Sequence, residues 1–230
     1  YLGRTPVGGR VQRILYSTTD AYGRPVAGSA LLILPTKAFF GPRPVVLWNH
    51  GTVGIARACA PSLQDASATK WAIPAVEEAL ARGWAVVAPD YAGQGTPGVF
   101  PYLIGEGEAR SGLDAVLAAR EVEPLRLSRD VVIWGHSQGG HAALWEATRA
   151  PTYTPRLHIL GVAALSPVTD PLALAKEITG VSAGVELSII TSWVLVPYAD
   201  TYPDVTLEST VSPGALRLVR EMSQRCPTEP

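Results

Sequence analysis

Gly135, His136, Ser137, Gln138 and Gly139 form a G-x-S-x-G pattern. It lies between an apolar run, RDVVIWG (129–135), and a segment of helical spacing, GGHAALWEATRA (139–150). A serine on a tight strand-to-helix turn holds its Oγ exposed at the C-terminal end of the strand. Glycines at the two flanking positions let strand and helix approach closely because they carry no Cβ. The backbone amide of Gln138, at the helix N-terminus, faces the place where an oxyanion forms when a serine attacks a carbonyl. The chemistry implied is acyl transfer through a covalent ester on Ser137. A second stretch fits the first: NHGT (49–52) closes another apolar run, PVVLWNHG (44–51), and ends in a glycine loop. Its expected contribution is the second oxyanion donor, the N–H of Thr52, with His50 or Gly51 as the fallback. The His50 side chain is expected to brace that loop.

A serine nucleophile needs a base, and the chain has four histidines. His50 and His136 precede Ser137, and His136, its immediate neighbour, should point away from Oγ. His141 lies one turn along the elbow helix and is expected to pack against the sheet. His158 opens a later strand, at the end of the sheet opposite the site. None makes a plausible base. Among the carboxylates, Asp170 stands before Pro171 and reads as a helix cap. Asp90 ends a strand ahead of the nucleophile and reads as a loop brace, and Asp200 and Asp204 follow no strand. The catalytic acid and histidine are therefore expected outside these 230 residues, in a further C-terminal segment or a second chain. The competing reading is a catalytically inactive ligand-binding protein; an acyltransferase or peptidase on the same scaffold is a rival within enzymes.

The elements that must position this chemistry follow from the hydropathy pattern. VQRILYST (11–18) and VAGSALLIL (26–34) are strand-like and enclose the turn sequence DAYGRP (20–25), which marks a hairpin. The runs 44–51, 84–90, 129–135 and 156–167 are continuously apolar, as strands covered on both faces must be. Segments 73–82 and 106–122 have helical spacing between them, so the alternation predicts a parallel sheet with helices on both faces and the hairpin at its edge. After Pro167 only helical patches occur. Residues 1–168 are expected to form the core and 169–230 a helical cap. In the cap, Ile190 and Trp193, with Leu187, Val194 and Val196, are expected to line a substrate site, the alternative being ordinary burial.

Net charge is −1 and charged residues make up 17 % of the chain, which gives no electrostatic case for nucleic acid. The apolar run 187–199 is short and contains Pro197, so no transmembrane segment is expected. Two cysteines, Cys59 and Cys226, cannot supply the four ligands of a structural zinc site. They are either a disulfide or two buried thiols. The chain opens at Tyr1 without an initiator Met or signal-peptide features, as a mature exported form would, and that favours the bridge. Serine acyl transfer requires no metal or organic cofactor.

The order of these motifs resembles the α/β-hydrolases and, more narrowly, the secretory lipase family. The resemblance runs through YSTTDAYGRPVAG, WNHGTVG, CAPS, GWAVVAPDYAGQG, GHSQGG and LGVAALSPVTD, roughly over residues 10–226. It implies an α/β-hydrolase core with a helical cap, a secreted lipase or carboxylesterase acting on a lipid or small ester, and a catalytic acid and histidine lying beyond the cap. The chain stops near the end of that cap, so the resemblance implies a fold incomplete at its C-terminus.

Overall fold

The computed structural model describes residues 5–64, 73–122, 126–179 and 185–227. Six strands form one mixed sheet: β1 (Gly9–Thr19), β2 (Pro25–Pro35), β3 (Arg43–Asn49), β4 (Ala85–Pro89), β5 (Leu127–His136) and β6 (His158–Leu165), in the order β1-β2-β4-β3-β5-β6. β1 and β2 pair as the expected antiparallel hairpin. Asp20 closes its turn, accepting from the amides of Tyr22 and Arg24 and pairing with the Arg24 guanidinium. β4, β3, β5 and β6 run parallel, while β2 meets β4 antiparallel.

The continuous apolar runs are explained by the two faces. Ala30, Leu32, Leu34, Val45, Leu47, Val87, Val131 and Ile133 point to one core, closed by α2 (Gly105–Val122) and α3 (Gln138–Tyr153). Their neighbours Leu31, Ile33, Val46, Trp48 and Val86 point to the other, closed by α1 (Val76–Ala81). Every second residue of a strand changes face, so both sets must be apolar. β6 is different: it lies at the sheet edge, and Leu160 is 67 % exposed, with Val162 and Leu165 exposed beside it.

Four helices follow β6: α4 (Pro171–Thr179), α5 (Val185–Thr201), α6 (Leu207–Thr210) and α7 (Leu216–Ser223). Asp170 caps α4 as its place before Pro171 suggests, its Oδ1 accepting from the Ala173 amide at 2.9 Å. Pro197 is accommodated inside α5. Cys59 and Cys226 are joined in a disulfide that ties the end of the helical segment to the loop after β3. Among the described residues, no helix is long and apolar enough to cross a membrane, and no cluster of three or more His, Cys, Asp or Glu side chains could hold a metal ion.

Candidate active site

β3 and β5 are parallel neighbours in register, with Trp48 opposite Trp134 and Asn49 opposite Gly135. Their C-terminal ends therefore deliver the NHGT loop and the serine turn to the same point. The strand order also reverses here, β4 lying on one side of β3 and β5 on the other; ligand sites of open α/β sheets form at such a point. A Cβ built on Gly51 would stand 3.6 Å from Ser137 Cβ and 3.2 Å from the His136 carbonyl. Gly139 lies under the end of β3, where any Cβ would overlap the Asn49 and His50 carbonyls. This close approach is what the second elbow glycine permits.

Ser137 occupies φ 55°, ψ −118°, a conformation an L-residue adopts only under constraint. The constraint comes from both sides: its N–H donates to the Leu165 carbonyl of β6 at 2.9 Å, and its C=O accepts from the Gly140 and His141 amides. Although Ser137 is the N-cap of α3, its side chain makes no capping bond. Among the described residues, the backbone N–H groups of Gln138 and Thr52 donate to no protein acceptor. Two unpartnered amides beside one uncapped serine have the composition of an oxyanion hole.

The loop is braced from three sides. His50 Nδ1 donates to the Gly51 carbonyl at 2.7 Å. In a trans peptide the carbonyl and the following N–H point in opposite directions, so this bond also orients the Thr52 amide. Burial pushes the His50 pKa down to about 4, which keeps the ring neutral. Thr52 Oγ1 lies 2.7 Å from the Tyr102 hydroxyl, whose pKa burial raises to about 12. Gln94 Nε2 donates to the Gly54 carbonyl at 2.6 Å. Asp90 braces the neighbouring loop as expected, its carboxylate accepting from Ser29 Oγ, Ser62 Oγ and the Ser62 amide.

His141 requires a correction. It does not simply pack on the sheet: its Nδ1 is 2.7 Å from Glu108 Oε2, between α3 and α2. Glycines bring these two helices close together. Gly105 of α2 lies against the Trp145 ring and Gly112 against the Glu146 carboxyl, and so the α3 face carrying His141 looks at α2. Although His141 is backed by a carboxylate, no hydrogen bond links it, or any other histidine among the described residues, to Ser137 Oγ. His136 is exposed beside Gly51, and His158, at the start of β6, meets Asp130 at 3.1 Å.

Trp193 and Ile190 join Tyr91, Phe100, Tyr102, Leu103 and Ala142 in one apolar cluster over the site's supporting loop. Trp193 is 5 % exposed and its Nε1 donates to the Met222 carbonyl at 3.2 Å. A cleft of about 200 Å³ beside this cluster is lined from α5 by Val196, Pro197 and Asp200 rather than by these two residues. The Leu187 side chain lies outside the described residues.

Two buried carboxyls under the elbow have no counterpart among the expectations drawn from sequence. Glu108 is bonded to Gln138, His141 and the Leu103 amide. Glu146 accepts from Asn49 Nδ2 at 2.6 Å, and desolvation, reinforced by Glu108, raises its pKa well above the usual range. The signal was present: Glu146 lies on the α3 face defined by Ala142, Ala143 and Ala150, where a charged residue must find a buried partner.

Residues 45–229 match the family model described as Secretory lipase. A protein of Mycobacterium tuberculosis described as a probable inactive lipase is 31 % identical over 180 residues, 74 % of this chain and 40 % of that protein. A secreted triacylglycerol lipase of Malassezia globosa is 34 % identical over 104 residues, 44 % of this chain and 22 % of that one. The rice cell wall degrading esterase LipA of Xanthomonas oryzae superposes with a TM-score of 0.74 at 25 % identity, covering 95 % of this chain and 60 % of its own. Candida antarctica lipase A superposes with a TM-score of 0.76 at 22 % identity, covering 97 % and 54 %. The chain thus spans less than two thirds of the length of each of these relatives. Its sheet order, its elbow and its match across residues 45–229 together establish an α/β-hydrolase fold, and the chain belongs to the secretory lipase family.

Proposed function

We propose that the chain carries the nucleophile and oxyanion hole of a secreted carboxylic ester hydrolase of lipase or carboxylesterase type. The observation that carries this reading is the constrained, uncapped Ser137 beside the unpartnered amides of Gln138 and Thr52. Ser137 Oγ bonds to the ester carbonyl carbon while its proton passes to a base. The tetrahedral oxyanion is held by the two amides, the alcohol departs with a proton, and water then cleaves the acyl-enzyme. The acid–histidine pair that performs the proton transfers lies outside the 230 residues. The lack of any hydrogen bond from a described histidine to Ser137 Oγ supports this, and so does the exposed apolar edge of β6. Residues 1–168 serve as the core and 169–230 as a cap that shapes the acyl site near Ile190 and Trp193.

Labelling with a fluorophosphonate tests the reading. Label should appear on Ser137 and vanish in Ser137→Ala when the complementing segment is present. Without that segment the chain should retain only the oxyanion-hole contribution, about 10³–10⁴ over water. Undiminished labelling of Ser137→Ala refutes the assignment. A second reading, an inactive ligand-binding member, is favoured by the relative described as a probable inactive lipase. It predicts no label under any condition, with retained binding of a fatty acid or ester.

A further inference from the structure

Glu108 is fully buried on α2, and its one carboxyl group binds three partners from two other stretches of chain. Oε1 accepts from Gln138 Nε2 at 2.7 Å and from the Leu103 amide at 3.0 Å, while Oε2 meets His141 Nδ1 at 2.7 Å. Gln138 and His141 form the first turn of the elbow helix. Leu103 lies in a tight corner at φ 54°, and its peptide groups are gripped from both sides. Its N–H goes to Glu108, and its C=O accepts from the Tyr198 hydroxyl of α5 at 3.0 Å. The adjacent Tyr102 meets Thr52 Oγ1, so the same corner also touches the other side of the oxyanion hole.

We propose that Glu108 is a positioning residue through which helix α5 sets the orientation of the Gln138 oxyanion amide. The path is short and continuous: Tyr198, Leu103, Glu108, then the side chain of Gln138, the residue whose backbone N–H donates to no protein acceptor among the described residues. A buried carboxyl satisfied by three donors resists displacement, because moving any one donor leaves an unpaired buried group. A shift of α5 that pulls on the Leu103 corner is therefore transmitted to the elbow rather than absorbed between them. The chemical consequence rests on Ser137 being the nucleophile; the mechanical coupling does not.

The experiment separates the two. In the first arm, the Gln138 and Thr52 amide resonances of the isotopically labelled chain are followed in Tyr198→Phe, Glu108→Gln and the double variant. Tyr198→Phe removes one hydroxyl without touching the elbow, yet it should shift the Gln138 resonance. Glu108→Gln should abolish that response, making the pair non-additive. Tyr202→Phe, one turn further on with its ring tilted against that of Tyr198, should leave Gln138 unmoved and controls for ring effects. In the second arm, the protein with its complementing segment is labelled by a fluorophosphonate. Glu108→Gln should label roughly 10- to 100-fold more slowly at an unchanged probe affinity, less than the loss of a whole oxyanion donor. An unmoved Gln138 resonance in Tyr198→Phe, or strict additivity, overturns the coupling. If Glu108→Gln does not fold, Tyr198→Phe against Tyr202→Phe decides it. An unlabelled parent protein refutes the Ser137 reading, and the resonance arm still decides the coupling.

Discussion

Breaking the Cys59–Cys226 bridge should cost more stability than any single contact in the site. The two cysteines are 167 residues apart in sequence. In the chain-entropy model a loop of that length restricts the unfolded ensemble by on the order of 5 kcal/mol at 25 °C. For a domain of this size each kcal/mol corresponds to about 2–4 °C in Tm, so Cys59→Ser/Cys226→Ser should melt roughly 10–20 °C below the parent. There is also a local effect. Both cysteines are buried with Val53 and Ala56, and Gly54 fits so tightly that a Cβ there would come 2.9 Å from Cys59 Sγ. Gly54 is two residues from Thr52, so the bridge buttresses the loop that carries Thr52 as well as fastening the last helix. Thermal unfolding of the parent with and without reductant, beside the double variant, is the assay. Thiol titration of the denatured, unreduced chain should find none. A Tm change below about 3 °C, on the order of 1 kcal/mol by the same conversion, would show that the bridge does not constrain the unfolded chain in this way. Two titratable thiols would show that there is no bridge.

Gly139→Ala should prevent folding to the native state, because its Cβ has no space beneath the Asn49 carbonyl; Gly161→Ala, with open space around it, should fall within about 0.5 kcal/mol of the parent in denaturant unfolding. His50 is held neutral with its pKa lowered from 6.5 to about 4, so its contribution to stability is full above pH 6.5 and is lost as pH falls toward 4, about 3 kcal/mol in all. Glu146 acts with the opposite sign: its raised pKa gives a contribution that is full below 4.5 and is lost as pH rises through the folded value, and Glu146→Gln should remove that decline in urea melts across pH. Trp193→Ala should cost about 3–5 kcal/mol through the cavity it leaves, and, if the side chain also shapes the acyl site, should change the ratio of long-chain to short-chain ester hydrolysis. Equal loss on both esters would mark it as structural. Ser137→Gly should raise stability by about 1–2 kcal/mol while eliminating acyl transfer, since glycine tolerates the φ of 55°; a lower Tm would contradict the strain.

The strands were legible because being covered on both faces leaves a one-dimensional trace. Val45, Val46, Leu47 and Trp48 all had to be apolar, whichever face each took. The hairpin was legible from its turn residues and the elbow from its glycines. Strand order was not, since nothing in an apolar run says that β4 inserts between β2 and β3. α1 begins at Val76 rather than 73 because Ala75 adopts a left-handed conformation ahead of it, a local departure that spacing does not encode. His141 was misplaced for a related reason. Its partner Glu108 is 33 residues upstream on another helix, and helix-to-helix approach depends on Gly105 and Gly112, whose role appears only when α2 and α3 are packed. Long-range partners of buried polar groups are set by topology, which the periodicity of one segment does not contain.

Ser137 is best understood through what it forgoes. A serine at an N-cap ordinarily accepts a bond from the second or third helical amide, stabilising the helix by about 1 kcal/mol. Ser137 makes no such bond, and it also occupies a backbone region that costs of order 1–3 kcal/mol. Neither cost serves folding. Both are held in place by neighbours: Leu165 accepts the Ser137 amide, the amides of Gly140 and His141 bind its carbonyl, and Gly139 sits locked beneath β3. A residue kept from its own most favourable conformation by contacts from β3, β6 and α3 is one whose side chain is wanted elsewhere. The Thr52 loop stands beside it, where a Cβ built on Gly51 would come 3.6 Å from Ser137 Cβ. Strain, the unmade cap and the two unpartnered amides are separate observations, and a nucleophilic Ser137 accounts for all three at once.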